Sequence, residues 1–196
     1  MNNVHLQQLD ILDANQLQDV YDVIECSGVL HHMQDPAKGL TALNSKLNPG
    51  GYIKIGLYSK LARQKVSAAR DLIQNLGIQS TPEGIRAFRR QIFNDDHHEL
   101  KDISALVNDF YSLSECRDLC FHVQEHQFTT ESLRKLLDTE NLLFCGFMLP
   151  GVIKKDYQQH YPKDSNCTSL SNWGEFEESN QSTFQSMYQF WAYKPL

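Results

Sequence analysis

The chain has 196 residues, which at roughly 150 residues per domain predicts one domain. Hydrophobic residues make up 41%, enough for a sizeable core and too many for a disordered chain. Against 18 lysines and arginines stand 24 acids, a formal charge of −6 that argues against a broad phosphate-neutralising, nucleic-acid-binding face. No apolar run approaches the roughly 20 residues of a membrane helix, and the start Met1-Asn2-Asn3-Val4-His5 lacks the basic and apolar stretches of a secretory signal. Five cysteines (Cys26, Cys116, Cys120, Cys145, Cys167), scattered among apolar neighbours, read as reduced, buried thiols of a cytoplasmic protein.

In chain order, Val4, Leu6 and Leu9 predict an extended strand near the start. Tyr21–Cys26 is short and apolar, as a strand buried on both faces should be, and Ser27-Gly28 ends it. Asp35-Pro36 opens a helix with Asp as cap and Pro in the first turn, and Leu40, Leu43 and Leu47 recur at helical spacing. Asn48-Pro49-Gly50-Gly51 reads as a sharp stop before a strand over Tyr52–Tyr58. Strand, helix, tight turn and strand together predict a right-handed crossover in a parallel sheet.

The middle is helical. One long amphipathic helix is expected from Ser59 to about Leu76, a second from Pro82 carrying Ile85, Phe88, Ile92 and Phe93, and a third from Leu100 to about Phe110. Residues 60–128 read as a helical insertion or lid within a domain that spans 1–196. A helix capped by Thr129 or Thr130 and a strand over Leu142–Leu149 follow. Residues 151–183 read as a long polar loop with short helices at best. Met187–Tyr193 is a strongly β-prone closing strand. The class is α/β.

The run Asp22-Val23-Ile24-Glu25-Cys26-Ser27-Gly28-Val29-Leu30-His31-His32-Met33, followed by Leu47-Asn48-Pro49-Gly50-Gly51, resembles the second half of class I S-adenosylmethionine-dependent methyltransferases. Lys54–Ser59, Ser114–Leu119 and Met187–Trp191 are similar to the bacterial type related to tetratricopeptide-repeat-fused methyltransferases. The resemblance spans essentially the whole chain. It implies a Rossmann-like sheet of order 3-2-1-4-5-7-6 with the last strand antiparallel. On it, Val4–Leu9, Tyr21–Cys26, Tyr52–Tyr58, Leu142–Leu149 and Met187–Tyr193 correspond to the third to seventh strands. The first strand, the first helix with its Gly-rich loop and the second strand have no counterpart, so the implied sheet is incomplete and the chain alone is expected to have little activity.

The implied cofactor is S-adenosyl-L-methionine. By resemblance Asp10 meets the adenine amino group with the Ile11 backbone beside the ring, Cys26, Ser27 and Gly28 line the methionine end, and His31 orients or deprotonates an unknown methyl acceptor. Read without the resemblance, Asp10 begins a turn, Ser27-Gly28 ends a strand, and His31 and His32 are surface or packing histidines. A sheet lacking its central strands also exposes an apolar edge, which implies self-association or a partner chain pairing there, and gives an alternative reading as a non-catalytic pairing module. A third reading comes from His122-Val123-Gln124-Glu125-His126, which fits H-x-x-E-H. On a helix, His122 and His126 would hold zinc with Glu125 as base, making a hydrolase.

Overall fold

A computed structural model of the chain describes residues 4–94, 100, 103, 110–122, 124–184 and 187–196. Its described strands are β1 (Tyr21–Ser27), β2 (Leu47–Tyr58), β3 (Leu143–Phe147) and β4 (Met187–Tyr193), in the spatial order β1-β2-β4-β3. β1 and β2 are parallel, whereas β4 runs antiparallel between β2 and β3. This order and the antiparallel β4 match strands 4-5-7-6 of the sheet that the resemblance implies. The helices are α1 (Pro36–Asn44), α2 (Gln64–Asn75), α3 (Pro82–Phe93), α4 (Leu113–Phe121), α5 (Thr130–Thr139), α6 (Gly151–His160) and α7 (Leu170–Ser179).

Alternation along β2 and β4 decides where the core lies. Ile53, Ile55, Leu57, Tyr188, Phe190 and Ala192 point to one face, where they pack with Leu40, Leu133, Leu137 and Trp173 of the helices. The opposite face carries Val23, Tyr52, Tyr193 and Leu143 in one row across all four strands. Val23, Tyr52 and Leu143 stay 58%, 45% and 55% exposed, so this apolar row is uncovered by the described residues. A second hydrophobic cluster joins α2, α3 and α4 through Val66, Ala69, Ile85, Phe88, Cys116 and Leu119. Among the described residues no helix is long and apolar enough to cross a membrane.

Several elements depart from the expectations. Residues 4–9 form no strand: Leu6 is 95% exposed, and among the described residues no ladder satisfies this segment's N–H and C=O groups. The sheet therefore has four described strands instead of five. Asn48–Gly51 is not a stop between helix and strand. Tyr21 pairs with Leu47 and Val23 with Tyr52, so these residues are absorbed as an irregularity within β2, and α1 ends earlier, at Asn44. The helix expected from Ser59 begins only at Gln64, after a turn in which the Arg63 amide donates to the Ser59 carbonyl. The helix expected over 100–110 lies outside the described residues, apart from the buried Leu100, Ile103 and Phe110.

Residues 151–183 hold two ten-residue helices, α6 and α7. The isolated aromatics of this polar stretch are their buried faces: the Trp173 ring stacks on Tyr157 at 3.8 Å and 18°. Four cysteines are buried, as expected, but Cys145 is exposed on β3. Phe147 sits at the centre of the aromatic core, 4.6 Å from Phe184 and 5.6 Å from Trp173 between ring centroids. Phe147→Ala is expected to cost about 3–5 kcal/mol in urea unfolding, and Leu143→Ala on the uncovered face less than about 1 kcal/mol.

Candidate functional site

The carboxyl end of β1 is built by two glycines with different tasks. Gly28 has φ +78°, a left-handed turn that a β-branched side chain would strain. It lets the chain leave the sheet after Ser27, and its amide donates to the Gly56 carbonyl of β2 at 3.3 Å. Gly56 serves close approach: a Cβ there would lie 2.9 Å from the Met187 sulfur and 3.0 Å from Ser27 Cβ. A 3-10 turn at Leu30–His32 follows, anchored by the fully buried Leu30.

That turn drives His31 inward. Its ring is fully buried, 3.8 Å from the Tyr58 ring at the end of β2 and 4.3 Å from His32. Neither His31 nitrogen makes a hydrogen bond of good geometry, although the Gly56 carbonyl is near enough to favour the protonated ring slightly, and Ser27 Oγ has no partner. Three buried polar atoms without a well-formed hydrogen bond therefore lie on residues grouped around the end of β1, where each unpaired atom carries a desolvation cost. Burial, reinforced by His32 and Arg63, lowers the His31 pKa to about 4, so the ring is neutral at neutral pH.

A buried ion cluster fixes what stands above this turn. Arg63 lies over the Tyr58 ring at 3.9 Å and forks onto Glu125, with Nε–Oε1 at 3.1 Å and Nη2–Oε2 at 2.6 Å. Arg70 reaches the same Oε2 at 2.7 Å and also donates to the Leu119 carbonyl. Gln127 donates to Glu125 Oε1 and to Ser67 Oγ. Burial alone would push the Glu125 carboxyl up, but Arg63, Arg70 and Gln127 outweigh it and hold the carboxyl below its ordinary value. Backbone bonds complete the clamp: the His126 amide donates to the His31 carbonyl and the Phe128 amide to the Tyr58 carbonyl, each at 2.8 Å.

The sequence-expected site residues separate into two groups. Ser27, Gly28 and His31 share the end of β1. Cys26 contributes only backbone there, because its side chain is buried in the main core and burial raises its thiol pKa. Asp10 and Ile11 belong to another element, a 3-10 turn over Ile11–Gln16, where Asp10 Oδ1 caps by accepting from the Leu12 amide at 2.9 Å. The turn reading of Asp10 is thus what the carboxylate does in this fold. Gly56, Tyr58 and Arg63 were missed, and Glu125 was read only as the base of a zinc hydrolase. A glycine inside an otherwise apolar strand was the readable signal for Gly56.

The zinc reading fails on geometry. α4 ends at Phe121 and His122 already has extended backbone, φ −65° and ψ 135°, so His122 and His126 do not share a helical face. The His122 ring packs on His32 at 4.3 Å, and Glu125 is committed to two arginines. Among the described residues no group of three His, Cys, Asp or Glu side chains could hold a metal. Val123 lies outside the described residues.

The family described as a methyltransferase domain matches residues 1–142. The chain belongs to this methyltransferase family. An uncharacterized protein of Synechococcus sp. is 34% identical over 154 residues, covering 74% of this chain and 36% of that protein. The mitochondrial ubiquinone biosynthesis O-methyltransferase of Schizosaccharomyces pombe is 25% identical over 123 residues, 61% of this chain and 41% of that one. PKMT2 from Rickettsia typhi, solved in complex with AdoHcy, shares the fold with a TM-score of 0.70 at 18% identity, over 97% of this chain and 39% of that chain. The chain thus spans less than half the length of these relatives.

His31 gives the methyltransferase fold a pH signature. Its folded pKa of about 4 lies below the ordinary 6.5, so the unfolded chain takes up the proton first. This contribution is complete above pH 6.5 and is lost as pH falls toward about 4. The 2.5-unit difference corresponds to a loss on the order of 3 kcal/mol. Urea unfolding across this window should show the slope in the wild type and lose it in His31→Leu. Glu125 acts in the same direction at lower pH, below the ordinary carboxylate range.

Proposed function

We propose that this chain carries part of the catalytic domain of an S-adenosylmethionine-dependent methyltransferase and contributes the methionine-end and acceptor-side walls of its site. The observation that carries this reading is the cluster of unpaired buried polar atoms, Ser27 Oγ and both His31 nitrogens, at the carboxyl end of β1. Ligands of open α/β sheets bind outside the carboxyl ends of the strands, and polar groups without protein partners there fit a polar ligand. The left-handed Gly28 leaves backbone free of a side chain beside them. These features fit the amino-acid end of the cofactor. Asp10 retains one carboxylate oxygen beyond its capping bond, which fits an adenine amino group, with Ile11 next to it.

When bound, the cofactor supplies an electrophilic sulfonium methyl, so the protein needs only to bind and orient. Ser27 and the Gly28 backbone hold, and His31 orients. An imidazole with a pKa of about 4 is a weak base but a competent hydrogen-bond acceptor, so His31 positions the acceptor more than it removes a proton. Arg63, at the start of α2, and Glu125, after α4, tie these described helices to this end of the sheet beside Tyr58. Cofactor affinity of the chain by itself is weak, because its contacts come from two loops and none of the described strand-to-helix turns is glycine-rich.

Isothermal titration with S-adenosylhomocysteine tests this. The wild type should bind with a Kd between about 1 µM and 1 mM, or −8.2 to −4.1 kcal/mol. Ser27→Ala should weaken binding about tenfold, the scale of one lost hydrogen bond, and a folded Gly28→Val should abolish it. Unchanged affinity in both variants would remove the site from the end of β1.

A further inference from the structure

Successive side chains at the end of β2 point to opposite sides, so Ser59 faces away from the Tyr58–His31 site. On that side a cleft of about 870 Å³ opens between the start of α2, the start of α5 and the length of α7. Glu177 of α7 and Tyr188 of β4 line it, and neither the family match nor the proposed cofactor site uses them. Glu177 is only 5% exposed. Its Oε1 accepts from Ser59 Oγ and its Oε2 from the Tyr188 hydroxyl, both at 2.5 Å. Ser59 Oγ itself accepts from the Ala62 amide at 3.2 Å, which leaves its proton for Glu177.

The contrast with the other buried carboxylate is chemical. Glu125 is neutralised by two arginines, whereas the described donors to Glu177 are two neutral hydroxyls. Burial pushes the Glu177 carboxyl up, the two hydroxyls oppose this, and Glu178 adds to it. The rest of the wall balances itself and leaves Glu177 over. Glu175 and Glu178 line the cleft against Lys60 and Arg134, and Glu131 is paired with Lys135 at 2.8 Å. A buried carboxylate that is the unbalanced charge of its cleft, with spare lone pairs and no described cation on it, is complemented by a compact multi-donor cation.

We propose that this cleft is a second binding site, which takes the ammonium group of an aliphatic primary amine against Glu177, with Ser59 and Tyr188 orienting the carboxylate. The apolar stem of the amine lies along Leu61 and Leu170, which also line the cleft. The site is independent of cofactor binding at the end of β1 and stands or falls without it.

The test is a titration of the ¹⁵N-labelled full chain with butylammonium chloride at constant ionic strength, with 1-butanol as the neutral counterpart. Butylammonium should give saturable amide shifts at Ser59, Glu177 and Tyr188, and butanol none there. Glu177→Gln should weaken butylammonium about tenfold, the scale of one charge-assisted hydrogen bond. Equal responses to the alcohol, equal affinity in a folded Glu177→Gln, or shifts that bypass these three residues would overturn the proposal. If Glu177→Gln does not fold, the comparison of amine with alcohol in the wild type decides alone.

Discussion

The two-armed grip of Arg63 and Arg70 on Glu125 is the interaction on which the upper half of this molecule depends. It joins three pieces that share little else: the turn leading into α2, the extended segment 124–128, and the end of β2 under the Tyr58 ring. Buried ion pairs contribute little net stability over a well-packed apolar replacement, because desolvation offsets most of the attraction. What this one contributes is registry. With Glu125 held by the Arg63 fork and by one bond from Arg70, and flanked by the backbone bonds of His126 and Phe128, the segment 124–128 is fixed in register against His31 and Tyr58. Removing the carboxylate would strand the buried Arg63 and the half-buried Arg70, a cost far larger than the pair's net worth.

From that constraint the division of labour along β2 follows. The strand is parallel to β1 on one side and antiparallel to β4 on the other, so its carboxyl end meets the end of β1 and the beginning of β4. Gly56 permits Ser27 and Met187 to close over it, Tyr58 faces His31 and Arg63, and Ser59 turns to Glu177. Two chemically distinct buried environments thus lie back to back, one with unpaired neutral polar atoms and one with a carboxylate held by hydroxyls. The first matches what the methyltransferase family leads one to expect of a strand end. The second does not derive from it.

Much of the fold was legible because the strands are short, apolar and bounded by recognisable turn residues. Met187–Tyr193 was read to the residue, and Asp35-Pro36 opens α1 as a cap followed by a first-turn proline. The failures have physical causes. Val4–Leu9 has strand-like residues, but strand formation depends on a neighbour, which local sequence cannot report. α7 hid in a polar stretch because its apolar stripe has only three members, Leu170, Trp173 and Phe176, so that average composition concealed its buried face despite their helical spacing. Of the site, Ser27, Gly28 and His31 came from the family pattern. Glu125 was read within a false metal motif, since its arginine partners lie 62 and 55 residues away in sequence.

The central claim is that polar atoms grouped at the end of β1 are the chain's contribution to a methyltransferase site. Amide shift mapping of the full chain with S-adenosylhomocysteine tests it most directly, because it reports location even when affinity is low. The account predicts shifts concentrated at Ser27, Gly28, His31 and Gly56, with smaller ones at Asp10 and Ile11. Saturable shifts centred instead on the uncovered face around Val23, Tyr52 and Leu143, or none at any concentration reached, would contradict it.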